Sequence, residues 1–220
     1  MVLTMSDQSS ISAAEALQRL REGNARFTGG TRSVAALLSQ LNLDKHAAGQ
    51  RPFAIILTCS DSRVPAEMIF DQGIGDLFVI RVAGNVVAPS LIGSVEFAAA
   101  TFGTQLVVVM GHSGCGAVRA TLDVIRSKID LPSANIRDIV DRIRPAVVSL
   151  VEFGANADEA AVMDAAVRAN VRHSADHLRH GSRLLEDLVQ QGKVVVVGAE
   201  YDLASGRVVF FDVPAELPGA

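Results

Sequence analysis

Two short polar turns contain the only two cysteines of the chain. The first, T-C-S-D-S-R-V-P at residues 58–65, holds Cys59, and the second, G-H-S-G-C-G at residues 111–116, holds His112 and Cys115. Two thiolates and one imidazole are the ligand set of a catalytic zinc with three protein ligands and one open position. The sequence therefore predicts a zinc centre at these three residues.

Asp61 and Arg63 follow the first cysteine closely, and two arrangements are open to them. The Asp61 carboxylate can bind the metal itself and close the site, or it can form a charge-assisted pair with Arg63 and leave the fourth position to water. We expect the open form to be the active one, because zinc lowers the pKa of bound water and generates a hydroxide nucleophile near neutral pH. Asp61, kept ionised by Arg63, would then accept the hydrogen bond of that hydroxide.

Each of these features also has a simpler structural explanation. A lone cysteine at the end of an apolar run is most often a small buried hydrophobic residue, and an Asp–Arg pair can be an ordinary turn ion pair. The two thiols could also form a redox pair, although the chain has no C-x-x-C. The metal hypothesis is favoured because both thiols, a histidine and an aspartate all fall at the ends of two apolar runs.

A second candidate for metal binding is the segment H-S-A-D-H-L-R-H. Its histidines, His173, His177 and His180, have the spacing i, i+4 and i+7 that places them on one helix face. The segment lacks the glutamate of H-E-x-x-H and lies between Arg172 and Arg179. We interpret it as a solvated or interface face that binds nickel or zinc only adventitiously.

Four short apolar runs are predicted to be the strands that position the two turns: residues 53–57, 77–82, 106–110 and 194–197. Continuous apolar runs of this length are typical of strands buried on both faces of a parallel sheet. After a turn-rich segment, residues 207–213 are expected to add an antiparallel strand at one edge. The predicted fold class is therefore α/β, a central and mostly parallel sheet of four parallel strands plus an antiparallel edge strand, flanked by helices.

The segments between the runs have helical patterns. S-A-A-E at residues 12–15 is a capping box that opens an amphipathic stretch, and N-A-D-E at residues 156–159 opens another in the same way. Residues 136–143 also keep helical spacing, and Gly192 stands where a C-terminal helix cap is expected. The apolar stripe of the first helix consists of Ala13, Leu17, Leu20 and Phe27.

The two polar turns are expected to meet in space. Cys59 follows the first run and His112 follows the third, so both turns lie at carboxyl ends of predicted parallel strands, the edge where open α/β sheets bind ligands. Cys115 would open the following helix, whose dipole favours a thiolate. Glycines allow the tight backbone path that this convergence needs, namely Gly111, Gly114 and Gly116.

Composition argues against several classes of protein. A formal net charge of −4 with mixed signs offers no basic surface to nucleic acid or to an anionic membrane. The most membrane-like stretch, residues 82–111, is interrupted by glycines and a proline, so we expect a buried helix and strand there.

The first ten residues do not look like a secretory signal, and two cysteines without such a signal favour a metal or a reactive thiol. We expect a cytoplasmic protein with one domain, residues 1–220, in which residues 1–50 form a helical arm and residues 51–220 form the α/β core.

C-S-D-S-R at residues 59–63 and H-S-G-C at residues 112–115 resemble the two metal-site motifs of the β-class carbonic anhydrases. R-V-A-G-N at residues 81–85 is similar to a further segment of that family, and the resemblance covers about residues 15–213. It implies an enzyme, a zinc lyase that hydrates CO₂ reversibly to bicarbonate and a proton by means of a zinc-bound hydroxide.

The same resemblance assigns roles to individual residues. It implies that Cys59, His112 and Cys115 bind Zn²⁺. It also implies that Asp61 and Arg63 form the catalytic dyad, with Asp61 on the metal only in a closed form.

Alignment outward from the motifs places Gln50, Phe78 and Phe97 in the substrate pocket of the family's plant-like subtype, with Phe97 where that subtype has a tyrosine. Phenyl walls suit the apolar CO₂, and Gln50 and the backbone N–H of Gly116 could steady the bicarbonate oxygens. Without the family context, Phe78 and Phe97 would be interpreted as core packing.

The other subtype has a non-catalytic bicarbonate site built from Trp, Arg and Tyr. Arg81 and Tyr201 stand at two of these positions, but Ile56 replaces the tryptophan, and the chain contains no tryptophan. We therefore expect the plant-like subtype, an open site near neutral pH, and no bicarbonate inhibition of that type.

Other functions stay open from the residues alone. The same hydroxide could hydrolyse COS or CS₂, or the chain could be a non-catalytic zinc-binding module. Asp61 and Arg63 favour the enzyme, because a structural site needs no arginine to withdraw its fourth ligand.

By resemblance, the N-terminal arm packs on a second subunit whose residues complete the active site. We expect a homodimer or a multiple of dimers, such as a tetramer.

Overall fold

A computed structural model of the chain describes residues 11–39, 43–127, 130–153, 158–215 and 217. Its elements, in chain order, are α1 (Ala13–Thr28), α2 (Val34–Ser39), α3 (Leu43–Ala48), β1 (Ala54–Thr58), α4 (Ala66–Ile69), β2 (Leu77–Arg81), α5 (Pro89–Phe102), β3 (Leu106–His112), α6 (Gly116–Ile125), α7 (Ala134–Phe153), α8 (Glu159–His180), α9 (Arg183–Gln190), β4 (Val195–Tyr201) and β5 (Val208–Phe211). A short 3₁₀ turn, Ala83–Asn85, follows β2.

The five strands form one sheet in the order β2-β1-β3-β4-β5. The first four are parallel and β5 is antiparallel to β4, which confirms the predicted α/β class. β3 and β4 are longer than their apolar runs, because backbone pairing continues through Gly111 and Glu200 to the pair His112 and Tyr201. Strand pairing, rather than side-chain hydrophobicity, therefore sets where these two strands end.

Both faces of the sheet are covered. Every residue of β1 and β3 is buried, as expected for central strands between helical layers. On one face the apolar stripe of α1, with Leu17 and Leu20, packs on Ile56 and Met110 of the chain's own sheet. On the other face α5, α8 and α9 pack on the alternate residues of the same strands, such as Ile55 and Val107. A further apolar cluster, near the two cysteines, is enclosed by α6, α7 and α8.

Helix caps follow the sequence signals in part. Ser12 accepts a hydrogen bond from the backbone N–H of Glu15, as the first capping box predicts. The second box is not the cap of α8, because this helix begins at Glu159 and its N-cap is Asp158, which accepts from the N–H of Ala161; Asn156 itself lies outside the described residues. Gly192 has a φ of 67° just after α9, which agrees with its predicted role at a helix end.

The helices before β1 differ in how far their apolar side chains are buried. α1 buries its stripe within the chain, whereas Val34, Leu37 and Leu38 around α2 are exposed. None of the helices in the described part of the chain combines the length and the apolarity that a membrane crossing requires.

Candidate metal centre

Cys59, His112 and Cys115 come together at the carboxyl edge of the sheet. β1 ends at Thr58, which lies beside Met110 of β3, so the residues that follow the two strands are neighbours. Cys115 is the N-cap of α6. The two sulfur atoms and the imidazole nitrogen lie within 4.8 Å of one another and all three residues are buried, so the predicted convergence is confirmed.

The imidazole of His112 is oriented for a metal. Its Nδ1 lies 3.0 Å from the carbonyl oxygen of Ser113, to which it donates a hydrogen bond in the tautomer that leaves a lone pair on Nε2. Nε2 is buried and has no hydrogen-bond partner among the described residues. A buried nitrogen lone pair beside two sulfur atoms fits a zinc ligand, because a metal satisfies the atom that the protein leaves unpaired.

The two thiols are 4.0 Å apart and influence each other strongly. A hydrogen bond from Cys115 lowers the pKa of Cys59 to about 4, with further help from His112 and from backbone N–H groups. The same hydrogen bond, together with burial, raises the pKa of Cys115. The pair therefore carries one negative charge near neutral pH, and a divalent cation would displace the second proton on binding.

The environment of His112 favours the protonated form of its imidazole. Burial by itself would lower the pKa of this imidazole, but the nearby sulfur of Cys59 and its negative charge, with further contributions from the Ser113 carbonyl and Asp61, outweigh burial, and the pKa is raised. The negative charge of the cluster is thus centred on Cys59, and it favours a positive charge on the neighbouring imidazole. This electrostatic character is what a cation site requires.

Asp61 and Arg63 form a bidentate ion pair beside the cluster. Arg63 donates from Nε to Oδ1 at 2.9 Å and from Nη2 to Oδ2 at 2.7 Å, and its backbone N–H also donates to Oδ1. These hydrogen bonds hold the pKa of the Asp61 carboxyl well below its usual range. Oδ2 remains 3.8 Å from Nε2 of His112, so the carboxylate lies next to the metal position but is bound to arginine.

Arg81 holds the loop that carries Cys59 and Asp61. Its guanidinium donates from Nε to the carbonyl of Cys59 at 3.2 Å and from Nη2 to the carbonyl of Asp61 at 2.6 Å. Sequence reasoning considered Arg81 only as part of a bicarbonate site and missed this role. The third residue of that comparison, Ile56, is fully buried in the core.

Two glycines next to the ligands are required for different reasons. Gly114 has a φ of 65°, which favours glycine in the turn between His112 and Cys115. A Cβ on Gly111 would lie 2.7 Å from a methyl group of Val171, so this position needs the absence of a side chain. Gly116, the first residue of α6, meets neither constraint and is exposed.

The predicted pocket residues Gln50, Phe78 and Phe97 do not lie at the metal cluster within one chain. Phe78 is opposite Ile55 in β1, three residues before Thr58, so about 10 Å of strand separates it from the carboxyl edge. Gln50 precedes β1 and lies beside Gly75, at the other end of the strands. Phe78 and Phe97 instead form an aromatic cluster with Phe102 on the β2 side of the sheet, with ring centroids 5.8 to 6.3 Å apart.

The three histidines of α8 line a shallow groove together with Asp176 and Gly181. The rings of His173 and His177 are 6.5 Å apart, and His180 lies 3.6 Å from carboxylate oxygens of Asp176 and Glu186. Among the described residues, the only group of three donors close enough to hold one ion is Cys59, His112 and Cys115. The histidine face is therefore not assembled as a metal site.

Comparisons with known sequences agree with this geometry. The family model described as carbonic anhydrase matches residues 54–208. Carbonic anhydrase 2 of Mycobacterium tuberculosis is 38% identical over 197 residues, covering 90% of this chain and 92% of the relative. The carbonic anhydrase of Mycolicibacterium smegmatis is 37% identical over 196 residues, covering 88% and 90%.

Solved structures show the same fold. The β-carbonic anhydrase CcaA has a TM-score of 0.72 at 24% identity and covers 89% of this chain and 95% of its own. The β-carbonic anhydrase CafA of Aspergillus fumigatus has a TM-score of 0.70 at 26% identity, covering 81% and 85%. With its parallel sheet and its buried cluster of two cysteines and one histidine, the chain belongs to the carbonic anhydrase family, in its β class.

Proposed function

We propose that the protein catalyses the reversible hydration of CO₂ to bicarbonate and a proton, with Cys59, His112 and Cys115 holding Zn²⁺. The observation that carries this proposal is the assembly of three buried donor atoms within 4.8 Å beside a carboxylate that is held by arginine. Two cysteines and one histidine would hold the ion and leave it room for a further ligand. When bound, zinc would supply the positive charge that lowers the pKa of water and makes it a nucleophile for CO₂ near neutral pH.

Asp61 orients the attacking water in this proposal. Its carboxylate is ionised, because Arg63 binds both oxygens, and Oδ2 lies 3.8 Å from the histidine nitrogen that faces the metal position. From there it accepts a hydrogen bond and directs an oxygen lone pair at the carbon of CO₂. Arg63 keeps Asp61 from becoming the fourth ligand, since a bidentate charge-assisted pair competes with a metal bond.

Gly116 offers a hydrogen-bond donor to the product. It is the first residue of α6, where a backbone N–H has no acceptor within the helix. A Cβ on Gly116 would meet no atom within 4 Å, so there is open space beside this residue. The N–H and the positive end of the helix dipole would steady an oxygen of the developing bicarbonate.

A second copy of the chain would complete the pocket. Gln50, Phe78 and Phe97 lie away from the metal cluster of their own chain, and Phe97 is 44% exposed although it is a large apolar residue. An exposed aromatic cluster beside an edge strand is typical of an interface. The β-carbonic anhydrases of Sordaria macrospora, a structural neighbour with a TM-score of 0.71, are described as tetrameric, and we infer a dimer or a multiple of dimers here.

We infer the plant-like subtype from two other residues, Ile56 and Arg81. Ile56 is fully buried among apolar side chains, and Arg81 already donates hydrogen bonds to two backbone carbonyls of the Cys59 loop. These two positions therefore support no separate bicarbonate site, and we infer an open zinc site near neutral pH. The cytoplasmic location and the single-domain organisation stay predictions.

Stopped-flow measurement of CO₂ hydration on the zinc-loaded protein tests the proposal. We expect catalysis that depends on about one zinc per chain and that is lost when the metal is removed and regained when it is restored. A protein that contains zinc at Cys59, His112 and Cys115 but leaves CO₂ hydration at the uncatalysed rate would contradict the proposed reaction.

A further inference from the structure

We propose that Asn170 of α8 is a positioning residue for the metal centre, because it fixes the backbone group that donates a hydrogen bond to the sulfur of Cys59. The connection runs from the Asn170 side chain to Gly84, and from the N–H of Gly84 to Cys59. The inference rests on the proposed function in one respect: it requires that Cys59 binds zinc.

The N–H of Gly84 lies 3.4 Å from the sulfur of Cys59, in a buried position. This is within the range of an N–H···S hydrogen bond. Gly84 has a φ of 67° and is followed by a φ of 44° at Asn85. Glycine adopts such a conformation readily, whereas the non-glycine Asn85 adopts it at a cost, so the surroundings must hold the turn there.

Asn170 is the side chain that holds this turn. Its Nδ2 donates to the carbonyl oxygen of Gly84 at 2.8 Å, and Asn170 is 1% exposed. Because a carbonyl oxygen can only accept, this hydrogen bond fixes which end of the amide faces Gly84. Gly84 is thus held on both sides, by Asn170 at its carbonyl and by Cys59 at its N–H.

The buried amide of Asn170 has a free-energy cost, because one of its polar atoms is unpaired. Its Oδ1 is buried and has no partner among the described residues, and the same holds for Nδ2 of Asn85. An apolar residue would avoid an unpaired polar atom in the core. The single hydrogen bond to Gly84 is therefore what the asparagine contributes that a leucine would not.

The same stretch of α8 also supports the second ligand-bearing segment. Val171, next to Asn170 in sequence, packs so closely on Gly111 that a Cβ there would lie 2.7 Å from its methyl group. Gly111 immediately precedes the ligand His112. Adjacent residues of one helix thus contact both the turn that donates to the sulfur of Cys59 and the backbone that immediately precedes His112.

The hydrogen bond has a chemical consequence for the metal. An N–H that points at a thiolate stabilises its negative charge, and so lowers the energy of the sulfur lone pairs that bind the ion. Loss of Asn170 would let the 3₁₀ turn relax and would weaken that hydrogen bond. The sulfur lone pairs would then rise in energy, and the ligand would be held less firmly in place.

The test compares Asn170→Leu with the control Thr104→Val in the full-length, zinc-loaded protein. Thr104 is also 1% exposed and also donates at 2.8 Å to a backbone carbonyl, that of Pro52, but at the other end of the sheet. Both changes remove one buried side-chain hydrogen bond, and only one of them is connected to Cys59. The readouts are zinc affinity, by competition with a chromophoric chelator, and the sulfur-to-metal charge-transfer band of the cobalt(II)-substituted protein.

For Asn170→Leu we expect zinc affinity to fall by about 10-fold to 100-fold and the charge-transfer band to move to lower energy, whereas Thr104→Val changes neither. Equal effects of the two variants, or an unchanged affinity and band in Asn170→Leu, would overturn the proposal. If Asn170→Leu does not fold, Asn170→Ser provides the same comparison with a smaller side chain. A wild-type protein that binds zinc and hydrates CO₂ while the variants behave alike would reject only the role of Asn170, whereas a wild type without zinc at Cys59 would reject the proposed function.

Discussion

Arg63 binds both carboxylate oxygens of Asp61, and this pairing leaves the carboxylate beside the metal position without occupying it. The two side-chain hydrogen bonds, at 2.9 and 2.7 Å, keep Oδ2 at 3.8 Å from Nε2 of His112. The sequence allows two arrangements of Asp61, on the metal or on Arg63, and the hydrogen bonds with Arg63 belong to the second. Arg63 and the metal therefore compete for the carboxylate of Asp61, all within five residues, from Cys59 to Arg63.

Replacing Arg63 should shift this equilibrium towards binding of Asp61 to the metal. In Arg63→Ala the Asp61 carboxylate loses its bidentate partner, and we expect it to become the fourth zinc ligand. CO₂ hydration should fall by about 10²-fold to 10⁴-fold, the usual contribution of a positioned acid–base group, while zinc content stays near one per chain. Stopped-flow kinetics and metal analysis on the same sample measure both quantities.

Arg119→Ala is the matched control for this variant. Arg119 also forms an exposed ion pair, at 2.7 Å with Glu159, but it is not bound to the Cys59 loop. Its loss should leave CO₂ hydration unchanged. Equal activity of Arg63→Ala and the unmodified protein would contradict the role assigned to the arginine.

Sequence patterns predicted the strands and the convergence of the three donor residues well, for identifiable physical reasons. Central strands are buried on both faces, so their apolar runs are conspicuous, and ligands such as Cys59 and His112 stand where those runs end. The extent of β4 was harder to predict, because its last residues include Glu200, a buried charge that Arg168 pairs at 2.7 Å. That partner lies on another element and leaves no local signal.

The residues that hold the site together were not predictable in the same way. Arg81 donates to two backbone carbonyls, and Asn170 donates to the carbonyl of Gly84. Because every residue has a backbone carbonyl, no sequence pattern marks these partners. Phe78 and Phe97 were placed in the pocket by resemblance alone. The position of Phe78 away from the ligands in one chain follows from strand register, which becomes visible only once the strands are paired, and Phe97 of α5 packs beside Phe78.

Each zinc ligand should be necessary for metal binding. Cys59→Ser, His112→Ala and Cys115→Ser each remove one of three donors, and we expect each to lose zinc, CO₂ hydration and the thermal stability that bound metal provides. His177→Ala should retain about one zinc per chain, since the histidine face of α8 does not assemble three donors. Zinc content that survives all three ligand changes would place the metal elsewhere, most simply on the α8 histidines.

The exposed aromatic cluster predicts how the subunits associate. Phe97→Glu introduces a charge at a phenyl ring that is 44% exposed and 6.3 Å from Phe78, so we expect it to dissociate the dimer in sedimentation experiments. Activity per bound zinc should fall with it, because the pocket residues would then be missing. Leu184→Glu, at a similarly exposed apolar residue of α9, should affect neither quantity. A fully active, monodisperse monomer of the unmodified protein would refute the proposed pocket.

The α8 histidines predict a pH dependence of stability away from the metal centre. Burial, and then the charges of His173 and Arg142, lower the pKa of His177 from its ordinary value of 6.5. Its groove is also lined by Asp176 and His180, which are exposed. Because the folded pKa is depressed, the unfolded chain binds more protons as the pH falls below about 6.5, and stability is lost in that direction.

We therefore expect His177→Gln to be more stable, relative to the unmodified protein, at pH 5 than at pH 7.5. Since the side chain of His177 is only partly buried and much of it is exposed, solvent screening keeps the difference in unfolding free energy below about 1 kcal/mol. Denaturant titration of the two zinc-loaded proteins at both pH values measures this difference, and the contribution of the metal centre cancels because both proteins retain it. A relative stability of the variant that falls from pH 7.5 to pH 5 would show that protonated His177 stabilises the fold instead, through partners such as Asp176, and the assigned direction would be wrong.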